Sequence, residues 1–371
     1  MKGYVKILIV LVVALMLLGS IIVFTASGTY SLNKFNNLYY LFKSHFWKVV
    51  VAFIALVGFA HVPYDLYRKH SKKLLLGIIG VLILTLLFAP KVKGASRWID
   101  LFGVFQFQPS EAAKVILIMH LAALIEKKGE LLTDFKNGFL YMLFWISVIC
   151  GLVILQPNVS TSLIIGITGF ALLYVGGARL KHILFTFASA GGIAALFIMI
   201  FKHSRERVIT YFQSLMNGGD INIQVKQAKI ALGSGGLTGL GLGHSRQSDL
   251  FLPESYGDFI FSILGEEMGF IGSATILFLY LVLFVICLII AKKSQDKFGQ
   301  LLVFGLGFNI LLSAFINAGV VTGLLPTTGI TLPFISFGGT SIILFGVSVG
   351  IIVNVARETL RTEELRIAQV G

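Results

Sequence analysis

The stretch Ile7-Leu-Ile-Val-Leu-Val-Val-Ala-Leu-Met-Leu-Leu-Gly-Ser-Ile-Ile-Val-Phe24 carries no charged side chain and follows Lys2 and Lys6. As a helix it is long enough to cross the roughly 30 Å of a bilayer's hydrocarbon core. Its core is longer than that of a secretory signal and many similar runs follow, so it reads as an uncleaved first membrane helix. Further runs centre on 46–63, 74–89, 110–125, 138–155, 159–177, 183–201, 259–290, 300–324 and 335–356. They predict an all-α polytopic membrane protein of about ten spans, built as a single integral membrane domain over 1–371. The fourth run is the weakest, because Glu111, Lys114 and His120 interrupt it. The eighth is too long for one simple span and predicts a turn where the chain enters the membrane.

Composition agrees. The chain is 56% apolar and only 13% charged, with a mean hydropathy of +0.90. Soluble domains carry about 25% charge, so a water-soluble fold would lack the polar surface to cover this much apolar side chain. A net charge of +13 would suggest nucleic acid in a soluble protein; here it reads first as a topology signal, with no nucleic-acid partner. With the N-terminus inside, 17 of the 30 Lys and Arg fall in the N-terminus, 64–73, 126–137, 178–182, 291–298 and the tail from Arg357. That is the asymmetry the positive-inside rule requires, and it places both termini in the cytoplasm. Cys150 and Cys287 lie inside apolar runs, and the seven histidines are scattered, so neither a disulfide framework nor a structural metal is indicated.

Nine of the remaining thirteen cations fall in two groups. Lys91, Lys93 and Arg97 precede the fourth run. Lys202, Arg205, Arg207, Lys226, Lys229 and Arg246 share one long extracytoplasmic connection, about 202–258, between the seventh and eighth runs. They either contact anionic lipid headgroups or recognise an anionic ligand on the outer face. The same connection contains Gly233-Ser-Gly-Gly-Leu-Thr-Gly-Leu-Gly-Leu-Gly243. This run fits neither the P-loop nor the dinucleotide fingerprint, leaving a flexible loop or a backbone cradle for an anion.

Three further groups carry polar chemistry. In Leu252-Pro-Glu-Ser-Tyr-Gly-Asp-Phe-Ile-Phe-Ser-Ile-Leu-Gly-Glu-Glu267, Asp258 stands where the connection becomes an apolar helix, with Glu254 four residues earlier. Its place at the water boundary, beside basic and Gly-rich sequence, marks it as the candidate catalytic acid. Glu266 and Glu267 lie deeper, where an acid costs a few kcal/mol unless paired or hydrated, and are read as a structural network. In Gln108-Pro-Ser-Glu-Ala-Ala-Lys114, Pro109 suits a first helical turn, and Glu111 and Lys114 face the same side and can pair. Pro326-Thr-Thr-Gly-Ile-Thr-Leu-Pro-Phe-Ile-Ser-Phe-Gly-Gly-Thr-Ser341 cannot form a plain spanning helix. It is either a tight outer turn between the ninth and tenth runs or a cavity wall, since irregular backbone at membrane depth must be buried in protein or line a wet cavity.

Together these pieces resemble the SEDS family, the FtsW/RodA/SpoVE membrane proteins. The matching segments are VFTASG, GASRWIDLFGVFQFQPSEAAK, QPN, ALGSGGLTGLGLGHSRQ, LPESYGDFIFSILGEE and PTTGITLPFISFGGTS, which run from the first helix to the last. The GLGHSRQ and LPFISFGGTS versions look closer to FtsW-type members. Asn158 departs from the family's frequent Asp, and Tyr256-Gly257 stand where His-Thr is common.

The resemblance implies a peptidoglycan glycosyltransferase of the bacterial cytoplasmic membrane that polymerises lipid II on the outer face, for cell division or cell shape. It implies a class B penicillin-binding protein as transpeptidase partner, with other divisome or elongasome membrane proteins nearby. Carried onto this sequence, it makes Asp258 the catalytic acid. Arg97, Lys114, Lys226, Lys229, Arg246, Glu254, Ser336, Gly338 and Gly339 are the expected substrate contacts, and Glu111 joins Glu266 and Glu267 in the structural network. A divalent cation, Mg2+ or Mn2+, is left open, and no organic cofactor is implied. The competing classes are a flippase of lipid-linked precursors, which would cluster its acids near the bilayer midplane, and a non-catalytic scaffold.

Overall fold

The computed structural model describes residues 1–90, 97–101, 105–200, 202–216, 222–250, 252 and 255–370. Lys91, Lys93 and Glu254 therefore lie outside the described residues. The helices are α1 (Lys2–Phe35), α2 (Tyr40–Phe59), α3 (Tyr64–Phe88), α4 (Pro109–Lys128), α5 (Leu140–Leu155), α6 (Val159–Val175), α7 (Leu180–Ile200), α8 (Lys202–Met216), α9 (Ile223–Ser234), α10 (Gln247–Leu250), α11 (Ile260–Lys293), α12 (Lys297–Val321) and α13 (Thr340–Val370). Among the described residues, seven helical segments are long and apolar enough to cross a membrane: α1, α2, α3, Phe135–Leu155, α11, α12 and Thr340–Leu365. Large apolar side chains such as Ile54, Phe88 and Phe185 are more than 60% exposed, as expected where lipid is the solvent. The chain is a multi-pass membrane protein.

Several boundaries differ from the sequence reading. The basic segment 64–73, expected as a loop, forms the first turns of α3, where Asp65 lies in the first turn. The last run starts at Thr340, not at 335, because 326–339 contains no helix. The connection 202–258 is not a bare loop either, since it folds into α8, α9 and α10. A two-stranded antiparallel hairpin, β1 (Ile99–Leu101) and β2 (Phe105–Phe107), leads into α4 and pairs Ile99 with Phe107.

Helix α11 is interrupted. Gly269 adopts φ 68° and ψ −169°, a backbone region essentially reserved for glycine. The piece before it is short. The piece after it, 270–293, spans about 36 Å at 1.5 Å per residue and is long enough to cross the membrane alone.

Both chain termini lie at one end of the bundle, where Lys2 Nζ meets Glu364 Oε1 at 2.8 Å. That end is laced by an ion network. Arg68 of α3 pairs with Asp296 at the start of α12 and, at 3.3 Å, with Glu126 of α4. Asp296 also accepts from Tyr64 Oη at 2.7 Å and caps α12 through the Gly299 N–H at 2.6 Å. Asn354 of α13 closes the corner, accepting the Tyr64 N–H at 2.9 Å and donating to the Ala60 carbonyl.

Candidate functional site

The opposite end of the bundle holds the polar motifs, and its centre is the turn 255–259 that precedes α11. Three consecutive carbonyls of this turn are each held by a donor from the 317–337 region. Phe337 N–H donates to Tyr256 O at 2.9 Å, Ser336 Oγ to Gly257 O at 2.9 Å, and Asn317 Nδ2 to Asp258 O at 2.8 Å. The clamp is itself braced, because Ser336 Oγ accepts the Leu332 N–H at 2.7 Å and Asn317 Nδ2 also donates to Ile330 O at 2.7 Å. Ser255 Oγ ties the other side of the turn to the Ala26 carbonyl of α1 at 3.1 Å. Asp258 is half-buried and faces the 326–339 segment: a methyl added at Gly329 would lie 3.3 Å from its Oδ2.

The 326–339 segment forms a wall rather than a loose turn. Phe334, Ile335 and Ser336 are buried, and Phe334 holds φ 65°, a strained conformation for a bulky residue that surrounding packing must maintain. Gly19 of α1 lets this wall approach, since a methyl there would sit 2.6 Å from the Ile335 Cα. Tyr280 Oη of α11 donates to the Pro333 carbonyl, and the Phe337 ring stacks edge-on against Tyr256. Lys48 of α2 places its ammonium 3.9 Å from the centre of that same ring.

The Gly-rich run is fixed by pairing to the break in α11. Leu240 N–H and Gly241 N–H donate to the carbonyls of Glu266 and Glu267, while Phe270 N–H and Ile271 N–H donate back to Gly236 and Leu237. The two backbones touch so closely that a methyl on Gly269 would lie 2.4 Å from Gly239 N. The side chains of Glu266 and Glu267, both at most 2% exposed, complete the attachment. Glu266 accepts from Ser245 Oγ at 2.5 Å, from Ser234 Oγ and the Arg246 N–H at 3.2 Å, and from the Gln247 N–H at 3.3 Å. Glu267 accepts from Thr25 Oγ1 at 2.9 Å and the Gly243 N–H at 3.1 Å.

The expected cations separate into two sets. Lys226, Lys229 and Arg246 are exposed; Lys229 crosses the start of the 322–339 connection, its Nζ 2.8 Å from where a Gly323 methyl would be. Arg97 instead donates to the carbonyls of Gln156 and Pro157 and so braces the α5–α6 turn. Lys114, 5% exposed, pairs with Glu111 at 2.9 Å. The top of α4 is further joined to α13 through Thr340 Oγ1, which accepts the Gln108 N–H and donates to Gln106 O. Gly338 and Gly339 lie at the end of the wall, just before α13.

Sequence reasoning passed over Asn317, which fixes the Asp258 turn, and Thr25, which binds Glu267 across the bundle. An amide inside an otherwise apolar span is the signal that could have found Asn317, because polar groups at membrane depth are expensive unless used.

A helical membrane protein with a rigid half-buried carboxylate turn and exposed cations at one end is the class these features define. The family model described as "Cell cycle protein", FtsW/RodA/SpoVE, matches residues 6–361. A probable peptidoglycan glycosyltransferase FtsW of Geobacter sp. (strain M18) is 37% identical over 364 residues, covering 96% of this chain and 97% of that protein. Stage V sporulation protein E of Bacillus subtilis (strain 168) is 35% identical, covering 94% of this chain and 96% of that one. A solved chain described under "Structural coordination of polymerization and crosslinking by a peptidoglycan synthase complex" shares the fold with TM-score 0.77 at 22% identity, covering 95% of this chain and 97% of its own. The chain belongs to the FtsW/RodA/SpoVE family.

Proposed function

We propose that this chain is a peptidoglycan glycosyltransferase that polymerises lipid II at the outer face of a bacterial cytoplasmic membrane, with both termini in the cytoplasm. The full-length similarity to FtsW proteins named for that activity supports the reaction class. The observation that carries the site is the three-bond clamp on 256–258, which holds the Asp258 backbone rigidly while leaving its side chain half-exposed. A positioned base needs that combination.

In this reading Asp258 takes the proton of the acceptor's GlcNAc 4-hydroxyl. The oxygen attacks C1 of the donor MurNAc with inversion, and the bond from C1 to the pyrophosphate oxygen breaks. Undecaprenyl pyrophosphate leaves with the bonding electrons, its charge met by the exposed Lys226, Lys229 and Arg246. Arg97 acts by bracing the α5–α6 turn and Lys114 by pairing with Glu111 in α4. A single positioned base supplies about 10²–10⁴-fold, and charge stabilisation of the leaving group supplies the larger share.

Among the described residues no three potential metal ligands gather. A divalent ion at Asp258 would take most of its ligands from substrate phosphate and water, as Mg2+ commonly does. The partner we propose for crosslinking is a class B penicillin-binding protein, alongside other divisome or elongasome membrane proteins. Similarity to a chain from a peptidoglycan synthase complex supports a shared assembly. A lipid-precursor carrier is disfavoured by the far end of the bundle, where the Arg68 network ties α3, α4 and α12 together; alternating access requires that end to open.

The test is polymerisation of lipid II by purified protein, with and without its partner, comparing wild type with Asp258→Asn. The variant is expected to lose about 10²–10⁴-fold in rate while folding normally. Equal glycan polymer from both removes Asp258 from the role of base.

A further inference from the structure

Helices α4, α6 and α12 enclose a small cavity that the reaction above does not use. Lys114, Thr168 and Asn309 supply its polar lining, with Leu117, Leu121 and Ile165 among its apolar walls. It leaves about 10 Å³ for the centre of a water-sized sphere, close to the room one water needs. Thr168 and Asn309 are 3% and 2% exposed, and neither Thr168 Oγ1 nor Asn309 Oδ1 has a hydrogen-bond partner within the protein.

The third polar wall explains what belongs there. Lys114 carries three N–H donors, and Glu111 Oε1 takes one at 2.9 Å. The Phe345 ring, 5.8 Å from Nζ, offers only a weak electrostatic partner. A buried ion pair is tolerated when further hydrogen bonds satisfy its remaining protons. The cavity is thus shared by a lysine with donors to give and two residues whose oxygens are buried without partners. A cation is disfavoured by the ammonium's charge, and an apolar occupant would leave the two oxygens and the ammonium's remaining donors unmet.

We infer that one water molecule resides between Lys114, Thr168 and Asn309, accepting from the ammonium and donating to both oxygens, and that it sustains the Glu111–Lys114 pair inside the bundle. Three partners are the usual complement of a buried water. The site joins three helices, and its position on α12 matters. Asn309, Ser313 and Asn317 recur every four residues and are all at most 2% exposed. Ser313 Oγ donates to Asn309 O at 2.8 Å, and Asn317 holds the Asp258 turn. The water thus anchors α12 to α4 and α6 about 12 Å along the helix from that clamp. The inference rests on the cavity and the ion pair, and stands whether or not Asp258 is the base.

The experiment is a density map of the full-length protein at a resolution that shows ordered waters, paired with a thermal double-mutant cycle. Wild type is expected to show a peak within hydrogen-bond distance of Lys114 Nζ, Thr168 Oγ1 and Asn309 Oδ1, and Asn309→Leu to lose it. Asn309→Leu is expected to lower the unfolding midpoint by about 2–4 °C, and to change it little in a Glu111→Gln/Lys114→Met background where the ammonium is gone. Thr168→Val, nearly the same shape, repeats the comparison should the leucine disturb packing. A wild-type cavity without a peak, a direct Lys114–Asn309 bond, or equal losses in both backgrounds overturns the inference.

Discussion

Replacing Asn317 with leucine probes the clamp on the Asp258 turn directly. The side chain is 1% exposed, and its amide donates to Asp258 O at 2.8 Å and Ile330 O at 2.7 Å. Leucine is close in size, so the cavity contribution is small, and the cost comes from two carbonyls left without a donor. Each orphaned buried carbonyl costs about 1–3 kcal/mol. Asp258 is only half-buried and its carbonyl can partly rehydrate, so the sum falls near the low end, about 2–3 kcal/mol. The turn can relieve that cost by moving, and a displacement of about 1 Å at a reacting group costs up to about 100-fold in rate. The assay is lipid II polymerisation in proteoliposomes with glycan chains resolved by length, alongside thermal unfolding. Asn317→Leu is expected to lower kcat by about ten- to hundred-fold with KM little changed, because the loss concerns placement of the base rather than binding. Wild-type turnover at an unchanged unfolding midpoint would show that this clamp does not position Asp258.

Other perturbations separate the remaining parts of the structure. Ser336→Ala removes the donor to Gly257 O and the acceptor of the Leu332 N–H, so stability should fall by about 1–3 kcal/mol, measured by denaturation; an unchanged midpoint contradicts the role given to its hydroxyl. Gly269→Ala combines positive-φ backbone strain of about 1–3 kcal/mol with a methyl 2.4 Å from Gly239 N. It should free the Gly-rich run, read as protease cleavage within 235–247, and resistance equal to wild type would sink the idea. Arg68→Met leaves Asp296 and Glu126 without their shared cation. Because the arginine is about one-third exposed, the expected cost is about 1–3 kcal/mol, between surface and buried pairs. Polymerisation per folded molecule should be unchanged, and a selective loss of activity would tie this distant end to catalysis.

The helical membrane fold was legible because a bilayer demands long apolar runs, and no partner is needed to recognise them. Ends were less legible. Helix α2 begins at Tyr40, ahead of the expected 46, because Lys43 and His45 depress a hydropathy average while the backbone stays helical. The polar helices α8 and α9 were hidden inside what reads as a loop, and the hairpin at 99–107 is too short for its alternation to register. Glu266 and Glu267 were visible as acids at depth, yet their partners were not: Thr25 is 242 positions from Glu267 in sequence. The Gly-rich run had the same limit. Its composition permits flexibility, and the facing backbone of 266–271 with the Glu266 and Glu267 side chains holds it still. Asp258 stands out by its place at the water boundary, whereas Asn317 shares an apolar run with Asn309 and Ser313 at four-residue spacing, a pattern that marks a polar face without saying which carbonyls it holds.

The break at Gly269 separates two mechanical duties that a continuous helix would combine. The stretch 270–293 alone answers to the membrane, tilting as bilayer thickness demands. The residues before it, including the turn that bears Asp258, are moored to α1, α12 and the 330–337 wall. A change in lipid chain length therefore has no continuous helix along which to reach the carboxylate, and can reach it only through side contacts such as the Tyr280–Pro333 bond to the wall. Such a break suits the lipid-linked substrate proposed above, since an enzyme acting on it meets its reactant in the same medium that would otherwise deform the site.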